Sequence, residues 1–406
     1  MSSGDFFSGE KLYHDVVTYA RFGEHRTATR GEEETTEWIG RELESAGVKT
    51  SSESFPVETY FVTETKLTVG QHIVDCFPLW PPCWTGPQGI RGPLALVGAS
   101  KIPLKGRVAV VKVPPSGGGP SFVASGDANA VNGAAEAGAV GVLIIAHGPS
   151  EEIHSYNTPP NVPRWPIPVA LVPKRSETQM LKDAERGLSA HLTLLGVDQK
   201  TQARNLAGKV QRGDRLIAVS TPKSGWFTCA GERGTGVAIF LALARWLARR
   251  ESKFSYLFDC NTGHEIGGSG IRYFLEKSAP PPQQVNAWVH LGANIATWDW
   301  EETPGGLQKK ARPDLYRIRC SDEALVPLVK NAVVELRGLE PVAGEGIGEM
   351  RRVIQLGYRG FGVNGGNYRY FHTPRDTPEN ATGPELLEPM ARAMAKAIES
   401  IERLTK

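Results

Sequence analysis

From Arg204 onward, short apolar runs alternate with longer amphipathic ones, and this alternation constrains the fold more than any other feature of the chain. "RLIAVST" reads as a buried strand and "GTGVAIFLALARWLARR" as a strong helix. "FSYLFDC" and "NAWVHLG" are again strand-like, "DEALVPLVKNAVVELRG" is helical, and "ELLEPMARAMAKAIESIERL" is a closing helix. Strands separated by helices cannot pair as tight hairpins, so the pattern predicts an α/β sheet covered by helices on both faces. Upstream, "GEEETTEWIGRELESAGVKT" sets Trp38, Ile39 and Leu43 at helical spacing and closes at Gly47; "SSESFPVETYFV" then alternates like a strand.

The texture changes between about Asp75 and Asp198. A Pro- and aromatic-rich seam, "CFPLWPPCWTGPQG", leads into the short strand-like runs "LALVG", "RVAVVKV", "VGVLIIAHG" and "IPVALV", with one helical stretch, "DANAVNGAAEAGA". At 406 residues the chain exceeds one typical domain. The expected organisation is an α/β domain over 1–74 and 199–406, interrupted by a small β-rich insert over 75–198. Within the insert, "PSGGGPS" lacks the Lys-Ser/Thr of a phosphate loop and reads as a plain loop, and His147 reads as a structural residue.

A formal charge of +2 points away from nucleic acid and from a membrane surface as partners. The five cysteines, Cys76, Cys83, Cys229, Cys260 and Cys320, are odd in number and scattered, which is no disulfide framework. The N-terminus shows no basic start followed by an apolar core, and no run of about 18 apolar residues occurs. The expectation is a cytoplasmic, soluble protein acting on a small-molecule substrate, with homo-oligomerisation left open.

In sheets of this type ligands collect at the carboxyl ends of the strands. There the sequence places Thr221 to Ser224, His264-Glu265 and His290, while His372 lies in "RYFHTPRDT" before the last helix. A catalytic zinc takes three protein ligands and keeps an open position for water. Glu232, Glu265 and His372 are the candidates, with His264 and His290 in reserve. "HEIGG" is not the helical H-E-x-x-H pattern, because residue 268 is Gly.

The order of these residues resembles the co-catalytic zinc aminopeptidase family, the group that includes leucyl-type aminopeptidases, glutamate carboxypeptidase II and glutaminyl cyclases. The resemblance covers most of the chain. It runs through "RFGEHRTATRGEEETTEWIGRELESAGV", "RNLAGKVQRGDRLIAVST", "GERGTGVAIFLALARWL", "FDCNTGHEIGGSGIRYF" and "RYFHTPRDTPEN". The insert resembles a protease-associated domain, through "ANAVNGAAEAGAVGVLII" and "IPVALV".

The resemblance implies a mixed sheet sandwiched by helices and a degenerate metal site. The family's His-x-Asp motif reads Thr221-Pro222-Lys223 here, its bridging aspartate falls at Glu232, and its Glu-Glu pair becomes His264-Glu265. A later aspartate aligns with His290, and the last ligand is His372. One divalent ion, zinc before manganese or iron, is then implied on Glu232, Glu265 and His372, with His290 as a further candidate. His264 takes the place of the general base, and Lys223 or Arg233 brings positive charge to the lost second metal position. Trp226, Trp288, Trp298, Tyr368 and Tyr370 are candidate walls for a flat substrate body. The function these features imply is a mononuclear metal-dependent hydrolase of a small carboxylate-bearing substrate, cleaving a C–N bond. A catalytically inactive binding protein and a metal-dependent lyase stay open as alternatives.

Overall fold

A computed structural model describes residues 5–98, 102–112, 122–146 and 148–404. His147 and the segment 115–121, read above as a structural histidine and a loop, lie outside the described residues. The chain divides into two compact units. The first comprises Met1–Pro56, Gln202–Phe371 and Arg375–Lys406; the second comprises Val57–Thr201 and His372–Pro374.

The first unit is built on the alternation from which the sequence was read. Its sheet runs in the order Val342–Ala343, Tyr316–Cys320, Gly360–Gly365, Val285–Leu291, Arg215–Pro222, Phe254–Asn261, and then the later part of Ser189–Val210. The four central strands are mutually parallel. Val285–Leu291 pairs with Gly360–Gly365 and with Arg215–Pro222, which in turn pairs with Phe254–Asn261. Tyr316–Cys320 and residues 206–210 run antiparallel at the two sides of this parallel core. Every residue of Phe254–Asn261 is buried, as a parallel strand covered on both faces requires.

Helix Thr235–Arg249 follows the central strand and buries Val237 to Ala244 and Leu247 in the largest apolar cluster. Gly9–Arg21, Arg30–Ser45 and Pro384–Leu404 pack in the same cluster through Leu12, Val16, Ile39, Leu43, Leu387 and Ile398. On the other face Ser269–Lys277 and Glu349–Gln355 enclose a smaller cluster containing Phe274, Trp288, Met350 and Val353. Close seating of the latter helix depends on Gly362, which pairs with His290 across the strands. A Cβ at Gly362 would come within 2.9 Å of the Met350 side chain.

The expected helix over "DEALVPLVKNAVVELRG" shrinks to Val326–Ala332, with a proline in its first turn. Propensity alone carries a short helix no further without a buried stripe to extend it. A two-stranded hairpin, Trp298–Thr303 with Gly306–Pro313, is an addition that the α/β alternation did not announce.

The second unit has its own parallel strands, Ile90–Leu96, Val108–Lys112, Gly141–Ile145 and Val169–Val172, with Phe77–Pro78 antiparallel to the last. Helices Ser125–Glu136 and Glu177–Glu185 belong to it. Its strands bury alternate residues into two clusters, Leu143 and Ala170 in one, Val142 and Leu171 in the other. Among the described residues no helix is long and apolar enough to cross a membrane.

Candidate active site

At the carboxyl ends of the parallel strands of the first unit the chain buries an unusual density of charge. Lys223, Glu32, Glu232, Arg233, Glu265, Asp259 and Glu349 are all buried. Such a set persists only if each charge finds a partner, because burying an unpaired one costs several kcal/mol.

Lys223 follows the strand Arg215–Pro222. Its backbone is fixed at both ends: its N–H donates to the Asn261 carbonyl at 2.8 Å, and its carbonyl accepts the Tyr19 hydroxyl at 2.8 Å. The ammonium is ion-paired with Glu32. Burial pulls the Lys223 amine down to about 7, opposed by Cys260, Glu265 and Asp259. Glu32 also accepts from Ala28 N–H at 3.2 Å and from the Thr36 hydroxyl at 3.3 Å. In sequence, Thr29 and Glu32 look like a helix-capping pair, and Glu32 N–H does donate to Thr29 Oγ1, at 3.4 Å. The side chain of Glu32, however, serves the lysine.

Glu232 sits in a π-helical turn, Ala230–Gly234, entered through Cys229 in the left-handed region at φ 36°. Asp376 holds this turn: its carboxylate accepts from Gly231 N–H at 2.6 Å, from Glu232 N–H at 3.0 Å and from the Tyr368 hydroxyl at 2.9 Å. Residue 231 must be glycine for this, since a Cβ there would lie 2.8 Å from the Tyr368 ring and 2.9 Å from the carboxylate. Burial pushes the Asp376 carboxyl up to about 7 against these hydrogen bonds. The Glu232 carboxylate accepts from the guanidinium of Arg233 at 2.7 Å, and Arg233 Nε donates to the Ser224 carbonyl at 3.0 Å.

Glu265 has both oxygens engaged, one by Thr27 N–H at 2.5 Å and the other by the Ser224 hydroxyl at 2.9 Å. Its neighbour His264 points the other way. The His264 side chain is 18% exposed and its Nδ1 meets Glu349 Oε1 at 3.1 Å, while the backbone N–H of His264 donates to Ser224 Oγ at 3.1 Å. Burial pushes the Glu349 carboxyl up, but the His264 hydrogen bond, together with the charges of His264, His290 and Arg233, holds it below the ordinary range.

His290 belongs to a chain of hydrogen bonds. Trp288 Nε1–H donates to Ser220 Oγ at 2.7 Å, and Ser220 Oγ lies 2.9 Å from His290 Nδ1. Ser220 thus links the indole to the imidazole and occupies the Nδ1 side of His290. Burial lowers the imidazole to about 4, so it is neutral at physiological pH.

His372 belongs to the second unit. It is fully buried, lies at φ 60°, and its Nδ1 donates to the Ser155 carbonyl at 2.9 Å; the ring centroid of His154 is 5.6 Å away.

The expected aromatic walls are placed in protein interiors. Trp226 and Trp288 are 1% and 0% exposed, and Tyr368 and Tyr370 are 3% and 4% exposed. Trp288 packs against Tyr358, Tyr368 serves Asp376, and Tyr370 packs edge-on against Trp300. Trp298, half-buried, has Lys309 over its ring.

Among the described residues no three His, Cys, Asp or Glu side chains gather closely enough to hold a metal ion. The donors of the first unit do not fit one. Glu265 has both oxygens engaged by protein N–H and O–H groups, Glu232 has Oε1 bound by the Arg233 cation, and the Nδ1 of His290 is occupied by Ser220. Three buried carboxylates of the site, Glu32 on Lys223, Glu349 on His264 and Asp376 on the Gly231–Glu232 amides, were not singled out from sequence. Each lies at the start of a helix or in a short polar loop, where a carboxylate ordinarily reads as a cap.

No family model matches the chain, and no curated relative matches it. Solved structures do. BSAP, a zinc aminopeptidase from Bacillus subtilis, superposes with a TM-score of 0.74 at 17% identity, covering 97% of this chain and 94% of that one. A peptidase M28 precursor from Shewanella amazonensis gives 0.71 at 18% identity, over 98% and 93% of the two chains. Glutaminyl cyclase from Porphyromonas gingivalis gives 0.51 at 9% identity, over 99% and 100%. The chain has the fold of the zinc aminopeptidases.

Proposed function

We propose that the chain is a hydrolase of a small molecule, acting on an amide-type C–N bond, in which built-in cations take the structural place of metal ions. The observation that carries the reading is the His264–Glu349 pair. It is a partly exposed imidazole held by a buried carboxylate at the end of a parallel sheet, where such folds collect ligands.

His264 accepts a proton from a water molecule that attacks the scissile carbonyl carbon, and returns it to the leaving nitrogen as the C–N bond breaks. Glu349 holds the ring through Nδ1. Lys223 and Arg233 are each paired with a carboxylate inside the protein. Their role is to hold Glu32 and Glu232 in place, and their placement lends no support to a carboxylate on the substrate.

The engagement of Glu232 Oε1 by Arg233 and of both Glu265 oxygens by protein donors favours one second reading, a binding protein without turnover. The test is elemental analysis of protein purified without added metal or chelator, together with a screen of aminoacyl and acyl 4-nitroanilides and N-acyl amino acids. The screen is run with and without chelator and repeated with His264→Ala. Turnover that survives chelator and disappears in the variant supports the proposal. About one metal per chain, with turnover lost to chelator, overturns it in favour of a metal-dependent hydrolase. Neither metal nor turnover leaves the binding protein.

A further inference from the structure

We infer that Glu349 is a positioning residue that fixes both the orientation and the tautomer of His264, so that the ring carries its hydrogen on Nδ1 and presents Nε2 as its lone-pair nitrogen. This rests on the reading of His264 as the acid–base group and specifies how that group is prepared.

The 3.1 Å contact joins Glu349 Oε1 to Nδ1 of His264. An ionised carboxylate can only accept, so the hydrogen lies on Nδ1 and the unshared pair on Nε2. The His264 backbone leaves the ring little freedom. Its N–H is tied to Ser224 Oγ at 3.1 Å, and its carbonyl accepts from Gly268 N–H at 3.3 Å. The turn between them closes through Gly267 and Gly268, at φ 75° and 66°, a region that glycine enters without strain.

Glu349 is equally constrained. It is the first residue of the helix Glu349–Gln355, is 5% exposed, and is held against the sheet through Met350 over Gly362. Its second oxygen, Oε2, is buried and has no hydrogen-bond partner among the described residues. A buried acceptor left unmatched costs about 1–3 kcal/mol, which a carboxylate serving only as a helix cap would have no reason to bear.

The experiment is nitrogen NMR of protein labelled at the histidine rings, with the His264 signals assigned by their loss in His264→Gln. It is repeated with Glu349→Ala and paired with turnover of any substrate found by the screen above. In the parent, His264 is expected as the Nδ1–H form. In Glu349→Ala that preference is lost, and kcat falls at least about 10-fold while KM stays within about 2-fold. A parent spectrum with the hydrogen of His264 on Nε2 overturns the inference whether or not any variant folds. So does a folded Glu349→Ala whose His264 signals are unchanged. If the tautomer behaves as expected but no substrate is turned over, the positioning stands and the hydrolase reading falls.

Discussion

Replacing Lys223 with methionine isolates the electrostatic logic of the site. Methionine keeps most of the unbranched stem and removes the ammonium, leaving Glu32 with the Ala28 amide at 3.2 Å and the Thr36 hydroxyl at 3.3 Å as its remaining donors. Both contacts are long, and both Lys223 and Glu32 are 0% exposed, so water cannot replace the lost charge without local opening. Removing one partner of such a pair costs about 3–5 kcal/mol. In a unit of this size each kcal/mol lowers Tm by roughly 2 °C, so the expected drop is about 6–10 °C. The double variant Lys223→Met/Glu32→Gln removes the charge mismatch and is expected to recover most of that loss, since a neutral pair of similar volume is often no worse than the ionic one. The assay is guanidinium unfolding beside calorimetry at about pH 5.5, below the value of about 7 to which burial pulls the Lys223 amine, so that the parent carries the ammonium. A single variant within about 1 kcal/mol of the parent, or a double variant no better than the single, would refute the assignment of Lys223 as the internal counter-charge.

Further predictions concern buried groups around the same strands. Burial holds His25 down to about 3, against the carbonyls of Phe227, Gly23 and Tyr19, and its ring stacks on Tyr19 at 3.8 Å. The unfolded chain takes up a proton near pH 6.5 that the folded chain refuses. The stability His25 contributes is therefore complete above pH 6.5 and is lost as pH falls toward 3. Denaturation curves of His25→Phe should converge on the parent over that window at up to about 1.4 kcal/mol per pH unit, and parallel curves would dismiss the effect. Asp376→Ala strands the amides of Gly231 and Glu232 and the Tyr368 hydroxyl, for about 3 kcal/mol or more, whereas Asp376→Asn retains an acceptor and costs less than half as much. Equal losses in chemical denaturation would show that the carboxylate does not hold the turn.

The fold was largely legible because its strands are buried on both faces and therefore written as continuous apolar runs. "FSYLFDC" and "NAWVHLG" became Phe254–Asn261 and Val285–Leu291 almost residue for residue. Helix Thr235–Arg249 was equally plain, since burial of most of its surface demands an apolar sequence throughout. The hairpin Trp298–Pro313 was not, because its exposed residues carry Glu, Lys and Gln instead of a core-facing run. In the site, the identities of His264, Glu265, Glu232 and Lys223 could be read, but their partners could not. Glu32 reaches Lys223 across 191 positions and Glu349 reaches His264 across 85. No local pattern reports a pairing made only when separate helices are laid on one sheet. A carboxylate at a helix start has a local explanation in the helix dipole, and that explanation hides its distant one.

The ion pairs Lys223–Glu32 and Arg233–Glu232 bear on how such a protein depends on its surroundings. A bound ion stabilises a fold by mass action, so its contribution rises and falls with the free concentration of that ion and vanishes when a competitor captures it. A lysine or arginine in the chain is present at one equivalent in every molecule, from the moment of synthesis, and cannot be exchanged for another cation. On the proposed reading, the folded state built around these two residues does not draw on the supply of metal and is not switched by it.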